Sequence, residues 1–206
     1  MELTSNEFKK KNRLQNKSSM VTLYLMTAVK QPARTLENKW RKENGVIYFK
    51  VTSDGTTGEK WFARLLAKGF KVGDYTKSLL LSEYFRPTSG VTTEIAILTG
   101  SLFTDHNRVT KKIRQEASKR EFTKPNPEIA CLTLEMFSSV ELKAVGLSWI
   151  TSMHEPIKDS DGGFGLLSAG RYDEGSCLSA YYGNPGCVWN RDDGFAFAVS
   201  QVGLKS

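Results

Sequence analysis

Two histidines and three cysteines are all that the 206-residue sequence offers of the side chains that most often bind metals or serve nucleophilic chemistry. Three cysteines (Cys131, Cys177, Cys187) make no disulfide framework, and an odd count fits a reducing compartment. Cys131 lies in the apolar run 129–134 and reads as a small core residue. Cys177 and Cys187 are free to pair, but their spacing does not require it. With His106 and His154 alone, a zinc site needs ligands gathered from unrelated places. Long apolar runs are missing too. The best candidate, residues 20–29, is interrupted by Thr22 and Thr27 and falls well short of the roughly 18 residues of a membrane helix. Residues 1–19 lack the apolar core of a secretory signal, because Phe8 and Leu14 stand isolated among Lys, Asn and Arg. The expectation is no membrane span, with the cytoplasm as the default location. No internal repeat or low-complexity tract is found.

What is present describes a globular chain, 39% hydrophobic and 25% charged, long enough for one well-cored domain with an N-terminal appendage. The net charge of +7 is unevenly spread: residues 1–44 carry ten Lys/Arg against four Asp/Glu, while residues 45–206 carry nineteen against eighteen. A basic N-terminal segment, 1–44, therefore precedes a nearly neutral domain, 45–206. Lys9-Lys10-Lys11-Asn12-Arg13 has the charge to touch nucleic acid or an acidic partner, and a solvated, partly disordered arm is the plainer reading. No interleaved aromatics or recognisable module accompany it, so no nucleic-acid partner is expected.

The pattern along the chain predicts an α+β domain. Residues 1–18 read as a flexible lead, and residues 20–29 and 45–52 have the β-branched and aromatic content of strands. Ile47, Phe49 and Val51 alternate with Tyr48 and Lys50. Between these runs Leu36 and Trp40 stand four apart, which allows a short helix. A helix capped by Thr56 or Thr57 carries Trp61, Phe62, Leu65 and Leu66 in one stripe and ends at Gly69. A second runs from Asp74 to about Tyr84, stopping ahead of Arg86-Pro87. Residues 91–98 read as strand. A basic helix spans 107–120 with Val109, Ile113 and Ala117 inward. Asn126-Pro127-Glu128 opens a helix that turns Ile129, Leu132 and Met136 inward. Ser138 and Glu141 form a capping box for another, closed by Gly146. Residues 147–153 and 194–202 are strands, the latter alternating Phe195, Phe197 and Val199 and closing the sheet.

The stretch 166–202 organises the rest. Short apolar pieces frame an interior, 168–193, in which Gly, Asn and Pro break any helical period, so it reads as loop interrupted by short strand. Tyr, Ser, Gly and Asn are the residues of adaptable binding loops: a rigid amphipathic ring at low entropy cost, and flexible hydrogen bonding. Composition alone leaves an ordinary polar loop equally open.

Chemistry is thinly signalled. His106 lies in the turn Asp105-His106-Asn107 and His154 ends a strand beside Glu155, yet no Ser or Cys occupies an elbow setting beside either. Gly162, Gly163 and Gly165 do not join a strand to a helix, so a phosphate-cradling loop is unsupported. Asp159, Asp161, Asp173, Asp192 and Asp193 offer oxygens to calcium without the fixed spacing of an EF-hand, and Asp in turns usually bonds its own backbone.

Three segments together carry a resemblance. FTKPNPEIACL (residues 122–132) resembles the helix-opening segment of formylglycine-generating-enzyme-like domains, and WNRDDGFAF (189–197) resembles their closing Gly-Phe-Arg strand. The loop between is similar to the variable region of the variable proteins of diversity-generating retroelements. The resemblance spans residues 46–202. It implies a C-type-lectin-like fold, with helices around short antiparallel sheets and a long irregular C-terminal ligand-binding loop region.

Adenine-directed mutation in that family cannot produce Lys, Glu, Gln, Trp or Met from its template codons, and none of the five occurs from 175 to 188. The displayed, variable residues implied are Gly170, Tyr172, Ser176, Cys177, Ser179, Tyr181, Tyr182, Asn184, Gly186, Cys187, Val188, Asn190 and Arg191. Leu166, Leu167, Leu178, Trp189, Phe195 and Phe197 would be the fixed scaffold beneath. The implied function is receptor-type binding of an unidentified protein or surface ligand, without catalysis, metal or cofactor. Two alternatives accompany it. Cys177 and Cys187 echo the redox cysteines of the formylglycine-generating oxidases, but the rest of that active-site pattern is missing. Glu155-Pro156 with Trp189-Asn190 echo the motifs of calcium-dependent lectins, but Ile157 replaces an expected Asn and Arg191 interrupts the second motif.

Overall fold

The computed structural model describes residues 39–159, 162–172 and 175–200. The chain divides into two units at Asn38/Lys39, and the described residues belong to the second. The expected lead at 1–18 and strand at 20–29 lie outside the described residues. So does Leu36, half of the spacing that allowed a short helix. The other half is strand: β1 (Trp40–Glu43) pairs antiparallel with β2 (Val46–Asp54), Glu43 opposite Val46. Asn44 and Gly45 turn the chain between them at φ of 49° and 79°. Two successive left-handed residues match the strand twist of a tight hairpin, so Asn-Gly decides the local structure over helical spacing. Residues 40–43, basic by composition, are thus part of the domain's sheet.

The fold is α+β, with a mixed ten-stranded sheet and five helices among the described residues. The remaining elements are α1 (Gly58–Ala67), β3 (Lys71–Val72), α2 (Asp74–Leu80), β4 (Ser89–Thr99), α3 (Thr110–Lys119), β5 (Phe122–Thr123), α4 (Ile129–Met136), α5 (Ser139–Ala144), β6 (Trp149–Ser152), β7 (Ile157–Lys158), β8 (Phe164–Tyr172), β9 (Gly175–Tyr182) and β10 (Asp193–Val199). The sheet runs β1-β2-β4-β10-β6-β8-β9-β3, with β5 added beside β10 and β7 beside β8. Only β10–β6 and β3–β9 are parallel among these pairs.

The last strand does not close the sheet from an edge. It lies inside, between β4 and β6, and both of its faces are covered. Ala196 packs with Ile47, Phe49, Ile97 and Ile150 beneath α4 and α5, while Phe195 and Phe197 pack on the opposite side with Leu98, Ile113 and Ala117 of α3. Burial on both faces explains why Ile95 to Leu98 form an unbroken apolar run rather than an alternation. Each fully buried Leu, Ile or Phe contributes about 1.5–3 kcal/mol, and the three clusters together hold the sheet rigid.

The helices start where their caps dictate. Thr57 accepts from the Lys60 N–H at the head of α1, which buries Trp61 and Leu65 and leaves Leu66 outside. Asn126 Oδ1 accepts from the Glu128 N–H ahead of α4, and Ser138 with Glu141 completes the capping box of α5. Helix α2 stops at Leu80, before the expected Tyr84, because the chain turns through Ser82, whose carbonyl takes the Phe85 N–H. No described helix is long and apolar enough to cross a membrane.

Candidate ligand-binding site

The stretch expected to be loop from 168 to 193 is mostly regular structure. β8 and β9 form a hairpin in unbroken register from Gly165↔Tyr182 to Tyr172↔Gly175. Among the described residues of this stretch, 183–192 are the irregular ones. Leu167, Ala169 and Leu178 point toward α1, α2 and α4, and Leu166 and Tyr181 toward the α3 side. Glycine and serine in the middle of β8 belong to the sheet for a specific reason. A Cβ on Gly170 would meet the Trp149 ring at 2.2 Å, so the indole of β6 occupies the space a side chain would take. Ser168 is buried and shares a hydrogen bond of 3.1 Å with Thr151.

Of the thirteen residues expected on the surface, two are therefore not displayed. Gly170 lies under Trp149, and Cys177, opposite it across the hairpin, is buried. Ser176, Ser179, Tyr181 and Cys187 are half-buried. Tyr172, Tyr182, Asn184, Gly186, Val188, Asn190 and Arg191 are exposed. Every expected scaffold residue, Leu166, Leu167, Leu178, Trp189, Phe195 and Phe197, is buried.

Main-chain bonds fix residues 183–192 to the start of α3. The first turn of a helix leaves N–H groups without intrahelical partners. Here the Thr110 N–H donates to the Cys187 carbonyl (3.1 Å) and the Lys111 N–H to the Pro185 carbonyl (2.9 Å). Val109 and Val188 form an isolated antiparallel bridge, and the Trp189 N–H donates to the Arg108 carbonyl (3.0 Å). Trp189 also donates its Nε1–H to Thr110 Oγ1 at 2.9 Å and packs edge-on against Tyr181 and Phe195. The sequence pattern places the start of the basic helix at 107. The helix begins at Thr110 because Asp105–Asn107 form a separate 3-10 turn, tied by the buried Arg108 guanidinium donating to the Gly100 and Phe103 carbonyls and to Asp105.

Beneath the loop lies a cavity of about 220 Å³ lined by Trp149, Tyr181, Tyr182, Cys187, Val188, Trp189, Asn190 and Asp193. Trp149 meets Tyr181 edge-on with centroids 5.7 Å apart, and Tyr181 meets Trp189 at 5.8 Å. Asp193, at the head of β10, is 4% exposed and accepts the Asn190 N–H on Oδ2 at 2.7 Å. Burial pushes its carboxyl up to about 6. Neither Trp149 nor Asp193 was assigned to the site from sequence. Trp149 carries no signal that could place it opposite Gly170, and Asp193 was one aspartate among five. A larger open groove, about 950 Å³, runs beside the loop along α3 and includes Lys111, Arg114, Glu155 and Pro185.

The groups considered for catalysis are differently placed. His106 is exposed, whereas His154 is fully buried, with Nε2 accepting the Leu167 N–H (3.0 Å) and Nδ1 2.6 Å from the Glu155 carbonyl. One ring nitrogen accepts and the other donates, which fixes the neutral imidazole, and burial holds its pKa down to about 4. It ties the end of β6 to β8. All three cysteines are free thiols. Burial pushes the Cys177 thiol up, away from the depressed pKa of a reactive cysteine, and Cys187 donates to the Tyr182 carbonyl at 3.2 Å. Glu155 is ion-paired with Lys124, and Ile157 is buried in the core. Asp161 and Asp173 lie outside the described residues, and no group of three or more His, Cys, Asp or Glu able to hold a metal occurs among the described residues. No protein-family model, curated protein or solved structure matches the chain.

Proposed function

We propose that the chain is a receptor-type, non-enzymatic ligand-binding protein with a C-type-lectin-like fold, whose C-terminal surface is diversified by a retroelement. One observation carries the reading. Residues 183–192 are fixed by their own backbone and by Trp189; of the exposed side chains among them Asp192 accepts from the Ser148 hydroxyl, while those of Asn184, Val188, Asn190 and Arg191 take no part in holding the segment. A surface built in this way tolerates exchange of side chains without loss of the fold, because main-chain carbonyls and N–H groups are the same in every residue except proline's missing donor. The displayed set on this reading is the exposed residues Tyr172, Tyr182, Asn184, Gly186, Val188, Asn190 and Arg191, with the half-buried Ser176, Ser179, Tyr181 and Cys187 at its margin. The pushed-up thiol of Cys177 and the neutral, fully engaged His154 support a binding role over the oxidase alternative.

The test is a library in which the seven exposed positions are varied together. Most members should melt within about 10 °C of the parent, since seven exposed substitutions of about 0.5 kcal/mol or less each sum to at most about 3.5 kcal/mol, at about 2–4 °C per kcal/mol. A library in which most members fail to fold removes the proposal. In the genome, the expected companion is a near-copy of the coding stretch for residues 168–193, rich in AAC and AAT codons, beside a reverse transcriptase.

A further inference from the structure

We infer that the cavity lined in part by Trp149, Tyr181, Trp189 and Asp193 is a receptor for a cationic ammonium head group carried by the ligand. This rests on the ligand-binding reading and names the chemical class that the fixed part of the site selects. Three features lead there. The rings are mutually edge-on, at 5.7 Å for Trp149–Tyr181 and 5.8 Å for Tyr181–Trp189, so the walls are π systems set at steep angles to one another. Aromatic faces attract a cation through their quadrupole, most strongly where water is excluded. Second, Asp193 also lines the cavity; it is 4% exposed, its Oδ2 accepts from the Asn190 N–H, and it has no ion-pair partner among the described residues. Arg108 acts on it at a distance but directs its N–H groups to Gly100, Phe103 and Asp105. A buried carboxylate beside aromatic rings is stabilised by a counter-charge, and the described residues supply none in contact. Third, the volume of about 220 Å³ is below the roughly 300 Å³ at which pockets for whole drug-sized molecules begin, so it suits a head group.

The division of the lining between constant and varying residues adds a consequence. Trp149, Trp189 and Asp193 stand outside the diversified set, whereas Tyr181, Tyr182, Cys187, Val188 and Asn190 belong to it. Asp193 and the two indoles are therefore the constant part of the charge preference, while Tyr181, which both ring contacts share, varies with the rest of the rim that selects what carries the cation.

The experiment titrates the full chain with choline and with its uncharged carbon isostere, 3,3-dimethylbutan-1-ol, following tryptophan fluorescence and heat of binding. Choline should bind saturably and at least ten-fold more tightly than the isostere. Asp193→Asn should erase that ratio. Choline affinity should fall as pH is lowered through about 6, where Asp193 takes up a proton. The other charged or titratable groups around Asp193 are Asp192 and Cys187 of the loop, Arg108 ahead of α3, and Tyr182 and Tyr181 of β9, the Tyr181 phenol being pushed up to about 12 by burial. Equal binding of choline and isostere, tighter binding of a neutral methyl glycoside, or no binding of choline would each overturn the inference. If Asp193→Asn does not fold, the isostere ratio and the pH profile of the parent decide. Failure here with an intact library of folded loop variants removes the cation preference alone. Binding of choline with a collapsed library removes the display reading and leaves the cavity.

Discussion

Replacing Trp189 by alanine should separate frame from display more sharply than any other single change. The indole is 7% exposed, packs edge-on against Tyr181 and Phe195, and donates to Thr110 Oγ1 at the head of α3. Its loss removes a buried aromatic surface and leaves a cavity, worth about 3–5 kcal/mol. At about 2–4 °C per kcal/mol for a domain of this size, the melting temperature should fall by about 6–20 °C. Trp189→Phe keeps most of the packing and loses the hydrogen bond, for about 1–2 kcal/mol. Its neighbour Val188 is 74% exposed, and Val188→Ala should change stability by about 0.5 kcal/mol or less. Calorimetric melts of the three variants should rank Trp189→Ala far below Trp189→Phe, with Val188→Ala level with the parent. A Trp189→Ala melt within about 3 °C of the parent, or a Val188→Ala loss of the same size, would refute the division of labour.

At position 170, a valine must displace the Trp149 ring that a Cβ would meet at 2.2 Å, so Gly170→Val should destabilise by about 1–3 kcal/mol in a thermal melt. A neutral result would return Gly170 to the displayed set. His154 and Asp193 should give opposite pH slopes. The imidazole is held down to about 4, so the unfolded chain binds the extra proton and stability from His154 is present above about 6.5 and lost as pH falls toward 4, by about 3 kcal/mol in total. The carboxyl is held up to about 6, so its contribution is present below the ordinary carboxylate range near 3.9 and lost as pH rises through 6, again by about 3 kcal/mol. Urea titrations between pH 4 and 7 should show Asp193→Asn losing stability with acid more steeply than the parent, and His154→Gln less steeply; parallel curves would show that neither group is linked to folding. Iodoacetamide should modify Cys177 in the folded chain more slowly than free cysteine, because its thiol is buried and its pKa raised. A faster reaction would reopen the oxidase alternative.

Much of the frame is legible from residue pattern alone. The alternation of Ile47, Phe49 and Val51, the capping box at Ser138 and Glu141, and the apolar residues on either side of the displayed loop all follow local rules that need no partner to be known. The misreadings within the site share a cause: each depends on a neighbour distant in sequence. Ser168, Ala169 and Gly170 resemble loop until Trp149 is placed across the β6–β8 pair, at which point glycine is what lets the strands approach. Cys177 is buried because it stands opposite Gly170, and nothing near Cys177 in the chain indicates that pairing. His154 has the composition of a turn beside it, yet the Leu167 N–H, thirteen residues away, draws it inside. Asn44-Gly45 was legible as a hairpin turn and was masked by the helical spacing of Leu36 and Trp40. The aromatic cavity is the least legible feature, since β6, β9, β10 and the loop each supply part of it.

The seam between Pro185, Cys187 and the first turn of α3 joins carbonyl oxygens to amide hydrogens, atoms that nearly every residue brings. Such a join is indifferent to spelling but strict about counting. Exchange one letter for another in this segment and both acceptors remain where Thr110 and Lys111 reach them. Add or remove a single letter between 185 and 187, and one acceptor slides out of step with the helix. A lineage built on this seam can explore composition freely while its length stays locked.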